Sequence, residues 1–204
     1  RALVNQGFDS EVAGGLTSLA GQALESTRQY EEQLVSFGVL TGDRGRGTAL
    51  VGSLQKLAID TPFKSSELLD QAKLLLSYGV AVDDVRDTLS RLGDVASGTG
   101  VSLDRLGLAY GQVIAKGRLQ GSELRQFTEA GVGVADFANA YNESSGKKVS
   151  VGGFLGLIEQ GQVSSAIVEK AFQRMTSAGG RFFGLMETRS QTVSGRIQAL
   201  SASI

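Results

Sequence analysis

The sequence predicts an all-α protein, a compact bundle of about nine or ten short helices. Three observations carry that prediction. Apolar residues recur at intervals of three and four, the spacing of one helix face. Segments that alternate with period two are few, and the best strand candidate, Val149-Ser150-Val151, is too short to build a sheet. Glycine or a Ser/Asp cap interrupts the pattern roughly every 10 to 20 residues, as expected of helices joined by short turns.

The elements follow in order. Val12, Leu16, Leu19 and Ala23 lie on one face of a leading helix, and Leu34 and Phe37 extend the stripe. Gly38 and Gly42 weaken it, and Gly42-Asp43-Arg44-Gly45-Arg46-Gly47 reads as a loop. A short helix over 48–59 puts Leu50, Leu54, Leu57 and Ala58 on one side and stops before Pro62. Ser65 or Ser66 is the expected N-cap of a helix carrying Leu68, Ala72, Leu75 and Leu76 to a stop at Gly79. Asp83 and Asp84 open the next helix at the end that favours negative charge, with Val85, Leu89, Leu92 and Ala96 inward. Gly98-Thr99-Gly100 breaks it. Ser102 caps a helix that buries Leu103, Leu106, Tyr110 and Val113.

Gly117 and Gly121 punctuate again, and Ser122-Glu123 starts a helix with Leu124 and Phe127 that stops at Gly131. Val134, Phe137, Ala138 and Tyr141 form a short stripe, and 142–148 reads as a polar loop. Phe154, Leu157 and Ile158 follow, ending at Gly161. Ser164 caps a helix with Ile167, Val168, Ala171, Phe172 and Met175, and Gly179-Gly180 stops it. From Arg181 onward a last helix is expected, with Phe182, Leu185 and Met186 near its start and Ile197 and Leu200 later. Phe127, Phe137, Phe172 and Phe182 are expected in the core.

Composition excludes much chemistry. The 204 residues include no His, no Cys and no Trp. Disulfides, thiol nucleophiles and iron–sulfur clusters are therefore ruled out, as are ordinary zinc sites and a His general base. An oxygen-ligand Mg or Ca site, or a carboxylate pair, remains allowed. The 20 Lys+Arg against 21 Asp+Glu give a net charge of -1, which argues against a nucleic-acid partner held by a basic face. No run approaches 18 unbroken apolar residues; the longest, Leu74 to Val82, is interrupted by Ser77. The chain opens at Arg1 and stops mid-pattern at Ile204, so it is expected to be an excerpt of something longer.

Three apparent motifs have plainer readings. The glycine-rich stretch 42–48 lacks the lysine and the preceding strand of a phosphate-binding loop. Glu25-Ser26 with Gly184-Leu185-Met186 has the look of a lytic transglycosylase fragment, but those elements lie too far apart in sequence. Glu31-Glu32 and Asp83-Asp84 could hold a divalent ion; solvation and the helix dipole explain both. Neither a catalytic residue, a metal ligand nor a cofactor is expected. Glycine is used about twice as often as average, 28 residues in all. Gly14, Gly15, Gly21, Gly107 and Gly111 fall inside helical patterns, where each costs up to about 1 kcal/mol relative to Ala. Tight helix–helix approach is the expected compensation.

Several ordered blocks resemble one known family. The first is Leu57-Ala58-Ile59-Asp60-Thr61-Pro62-Phe63, then a helix ending Tyr78-Gly79 and Leu89-Ser90-Arg91-Leu92-Gly93-Asp94-Val95-Ala96. The densest runs from Gly111 to Val132, through Lys116-Gly117-Arg118-Leu119-Gln120-Gly121-Ser122-Glu123-Leu124. Glu159-Gln160-Gly161-Gln162-Val163-Ser164 follows, then the stretch from Met175 to Met186 and Ser190-Gln191-Thr192-Val193-Ser194-Gly195. Over roughly residues 30 to 204 these resemble the conserved helical domain of bacteriophage tail tape measure proteins, with Gly133 where that family often has proline. Residues 1–30 match only as a generic leading helix.

The resemblance implies a non-enzymatic structural component of a phage or prophage tail. It implies a place inside the tail tube of the virion, with the host cytoplasm as the site of assembly. The implied roles are tail length determination, tail assembly and genome delivery. The implied partners are tail tube and tail tip or baseplate proteins, tail assembly chaperones and further copies of the chain, with membrane contact only at infection. The expected organisation is a lead-in helix or helical hairpin over 1–42 and a helical tape measure domain over 43–204. Two other readings are a peptidoglycan hydrolase module and a membrane-active helical module. The first needs an acid in a cleft, and the second lacks a long apolar run.

Overall fold

The computed structural model describes residues 21, 24, 25 and 27–192, and these form ten helices and no strand. The helices are α1 (27–41), α2 (Arg44–Ile59), α3 (Ser65–Ser77), α4 (Val82–Thr99), α5 (Leu103–Lys116), α6 (Gly121–Glu129), α7 (Val134–Ser145), α8 (Val151–Glu159), α9 (Ser165–Thr176) and α10 (185–192). The fold is all-α, as the periodicity predicts. The stripes through Val12, Leu16, Leu19 and Ala23 and through Ile197 and Leu200 lie outside the described residues. So do Gly14 and Gly15.

The chain divides into two compact units, 1–51 and 52–204. In the first, α1 and the start of α2 meet at a glycine pair. A Cβ added to Gly47 would come within 2.7 Å of the Phe37 carbonyl carbon and the Gly38 nitrogen, and Phe37 is fully buried.

In the second unit the core is built by α3, α4, α5, α6, α7 and α9. Its centre is a cluster of rings. Phe172 on α9 lies 5.6 Å from Tyr110 on α5, 5.5 Å from Phe127 on α6 and 6.5 Å from Phe137 on α7. Phe127, Phe137, Phe172 and Phe182 are all buried. The predicted inward faces of α4, α5 and α9 are the observed ones in every residue named for them. Two of the predicted helix-interior glycines explain themselves here. A Cβ on Gly107 would strike the Gln71 side chain, and one on Gly111 would strike the Tyr78 ring, so glycine lets α5 approach α3 closely. Gly21, in contrast, faces open space.

Several boundaries differ from the sequence expectation, each for a local reason. The predicted loop 42–47 is a two-residue turn. Asp43 caps α2, its carboxylate accepting the Arg46 N–H at 2.7 Å, so Arg44 to Gly47 are helical. Helix α3 is capped by Lys64, one residue before the expected serines. Asn142 to Ser145 continue α7 instead of forming a loop. Asn142 still closes the turn that follows: its side chain donates to the Val149 carbonyl at 3.1 Å and accepts the Val149 N–H at 2.9 Å. That clamp, with Ser150 capping α8 through the Gly153 N–H, places the best strand candidate, 149–151, in a turn and a helix start, in keeping with its being too short for a sheet. Gly133 donates its N–H to Asp136 at 2.8 Å, a bond that proline at that place cannot make. A single bridge, Arg118 to Ser164, ties the start of α6 to the start of α9.

Candidate functional site

Two polar hollows run along α4 and α9. The first, about 420 Å³, is walled by Asp87, Arg91 and Asp94 of α4, Lys170 and Arg174 of α9, and Glu143 of α7. The second, about 320 Å³, shares Arg91 and Gln173 with it and is bounded by Tyr110, Asp84 and Glu169. The helical repeat explains the arrangement. Positions 87, 91 and 94 form one face of α4, and 170 and 174 one face of α9, while the apolar residues between them point into the core.

Their chemistry is that of a polar surface. Each carboxylate of the first hollow already has a partner: Asp87 pairs with Arg86 at 3.3 Å, Glu143 with Arg174, and Asp94 accepts the Met186 N–H at 2.9 Å. Burial, with Glu169 nearby, pushes the Tyr110 hydroxyl far above the usual phenol range, so it stays protonated. Burial likewise raises Asp94, opposed by the N–H groups of Met186 and Gly184. Among the described residues no three carboxylates gather tightly enough to hold a metal ion.

The residues that posed as motifs fall elsewhere. Glu25 is exposed; Arg28 and Gln29 bond to its carboxylate and lower its pKa, the reverse of a neutral acid in a cleft. Ser26 lies outside the described residues. Glu31 and Glu32 are exposed on α1, Glu32 pairing with Arg28 at 2.7 Å. Asp83 and Asp84 occupy the first turn of α4. The stretch 44–47 is a first helical turn whose Gly47 N–H bonds to the Asp43 carbonyl at 2.9 Å and whose Arg46 N–H bonds to the Asp43 carboxylate at 2.7 Å.

The sequence reading missed Glu123. It is 1% exposed, the only buried carboxylate among the described residues. Lys116 donates to it at 2.7 Å and Ser122 at 2.9 Å. Burial alone would raise its pKa, but these bonds and the Lys116 charge win and hold it below the usual carboxylate range. It is therefore an ionised structural group and not a proton donor. A lysine seven residues before an acid at the head of an amphipathic helix was the available signal. Because its folded pKa lies below the unfolded value, Glu123 stabilises above about pH 4.3 and loses that contribution as pH falls through its folded pKa. E123Q is expected to cost about 1–2 kcal/mol at neutral pH and much less at pH 3, read by urea unfolding at the two pH values. An equal loss at both would contradict the ion pair.

The profile of the tape measure protein family matches residues 21–204. This chain belongs to that family. The match begins nine residues earlier than the resemblance read from the sequence blocks, taking in α1. Among curated relatives, a probable tape measure protein of Lactococcus phage p2 is 23% identical over 178 residues, covering 84% of this chain and 17% of that protein. A tape measure protein of Lactococcus phage F4-1 is 25% identical over 156 residues, covering 74% of this chain and 42% of its own length. The chain thus spans less than half of either relative. No solved structure matches it.

Proposed function

We propose that this domain is a non-catalytic, mechanical part of a phage tail tape measure, working inside the tail tube in length determination, tail assembly and genome delivery. The family match over 21–204 carries the reading. The geometry supports it: the buried acid is ion-paired, the exposed one is held ionised, and the hollows are mixed-charge surfaces suited to polar contacts. Tail tube and tip or baseplate proteins, assembly chaperones and further copies of the chain are the proposed partners.

A ruler made of continuous helix adds about 1.5 Å per residue, so 204 residues of rod would add roughly 300 Å. Turns interrupt this segment too often for that, and the domain is proposed to sit at one place along a longer rod-like chain. In-frame deletion of the domain from its parent gene, with tail lengths measured by electron microscopy, tests this. The expected result is loss of assembled tails or a shortening far below 300 Å. Shortening by about 300 Å would show the segment to be part of the rod. A peptidoglycan turnover assay tests the rest: none is expected, and activity abolished by a single Glu→Gln change would overturn the non-catalytic reading.

A further inference from the structure

The chain after α9 returns across the second unit as a short strap. Gly179 takes a left-handed turn at φ +86°, and Phe182 N–H closes it onto the Met175 carbonyl at 2.9 Å. The strap then docks on α4 through two pegs. The Phe182 and Leu185 side chains sit where a Cβ on Gly98 would be, 2.5 and 2.7 Å away. Met186 sits likewise against Gly93, 2.5 Å from such a Cβ, beside Phe63. Asp94 accepts the N–H groups of Met186 and Gly184 at the head of α10, satisfying donors that a helix start leaves open.

The underside of α10 is not sealed. A cavity of about 440 Å³ separates its first turn from α4 and the end of α2, and its wall carries Asp60, Asp94 and Glu187 with no lysine or arginine. Thr61 in the same wall is buried with its hydroxyl unpaired. Only Phe182 and Met186 of the strap are buried; Phe183, Glu187 and Thr188 face solvent, Arg189 donates to the Ser97 carbonyl of α4 at 3.4 Å, and Arg181 pins the strap's start to Asp136 of α7 at 2.7 Å. Pegs that fit glycine notches thus pull the strap down, and like charges across a cavity push it off.

We propose that residues 181–192 form a releasable latch, which lifts from α4 as a unit while the core stays folded and which the carboxylates of Asp60, Asp94 and Glu187 spring-load. Burial raises Asp94, the Met186 and Gly184 N–H groups that the docked strap brings hold it down, and Glu187 adds a smaller upward push, so Glu187 acts against the bonds that seat the strap. The groups that share Asp94's other side are Asp87 and Arg91 of α4, Glu143 of α7, and Lys170 and Arg174 of α9. The two acids there are already partnered, and Glu187 faces Asp94 across the open cavity, so Glu187 is the charge whose removal acts on the latch.

Amide hydrogen exchange by NMR on the 204-residue chain tests this, using the Met186 N–H and the Thr188 N–H, which bonds to the Gly184 carbonyl at 3.0 Å. Both are expected to be protected on the order of 100-fold less than the amides of Leu89, Val113 and Phe172, through an opening with little denaturant dependence. E187Q is expected to raise their protection about twofold to fivefold without changing the core. M186A is expected to lower it by about tenfold or more, again with the core unchanged. If Met186 and Thr188 share the core's protection and denaturant slope, or if E187Q weakens the strap, the latch is refuted.

Discussion

Phe172→Ala is expected to lower the unfolding free energy of the second unit by about 3–5 kcal/mol, the largest effect of any single change considered. The side chain is 1% exposed and touches rings from three other helices, so its removal deletes contacts to α5, α6 and α7 at once. Edge-to-face and tilted ring pairs add to the area buried, by about 0.5–1.5 kcal/mol each. The cavity left behind is fenced by helices that cannot collapse without breaking their own packing, which places the cost toward the upper end. Domains of this size are stable by only about 5–15 kcal/mol, so the variant should unfold at markedly lower urea, with an unchanged denaturant slope. Phe183→Ala, at a ring 58% exposed, should change stability by less than about 0.5 kcal/mol. Similar losses for the two would mean that the ring cluster is not the centre of the core.

That cluster was legible because its members sit on helices whose apolar spacing is uninterrupted. Leu89 and Leu92 on α4, Leu106, Tyr110 and Val113 on α5, and Val168 and Phe172 on α9 declare their inward faces by period alone. Boundaries were less legible where one side chain decides them. Asp43 turns a glycine-rich stretch into a first helical turn with a single carboxylate–amide bond, and Asn142 holds a loop closed from within a helix. Neither leaves a periodic trace. The polar features were hidden for a related reason. Asp94 meets Met186 across 92 positions of sequence, and Glu123 reads as an ordinary first-turn acid until α5 brings Lys116 over it. Period reports which face of a helix is buried; it does not report which helix covers it.

Glycine shows the same division most sharply, and helix α2 supplies the test. Gly47→Ala is expected to destabilise the first unit by about 2 kcal/mol. The new methyl group would lie 2.7 Å from main-chain atoms of Phe37 and Gly38, and main chain cannot swing aside as a side chain can. Overpacking of this kind costs about 1–3 kcal/mol or more, and the helix propensity of alanine returns up to about 1 kcal/mol of it. Gly52→Ala lies five residues further along the same helix, where nothing stands within 4 Å of the added carbon. There the propensity gain is unopposed, and the substitution should stabilise by up to about 1 kcal/mol. Identical substitutions in one helix should therefore carry opposite signs, read by thermal and urea unfolding followed by circular dichroism. Two gains would mean that α1 does not press on α2 at Gly47, and the abundant glycine would then need an explanation other than close packing.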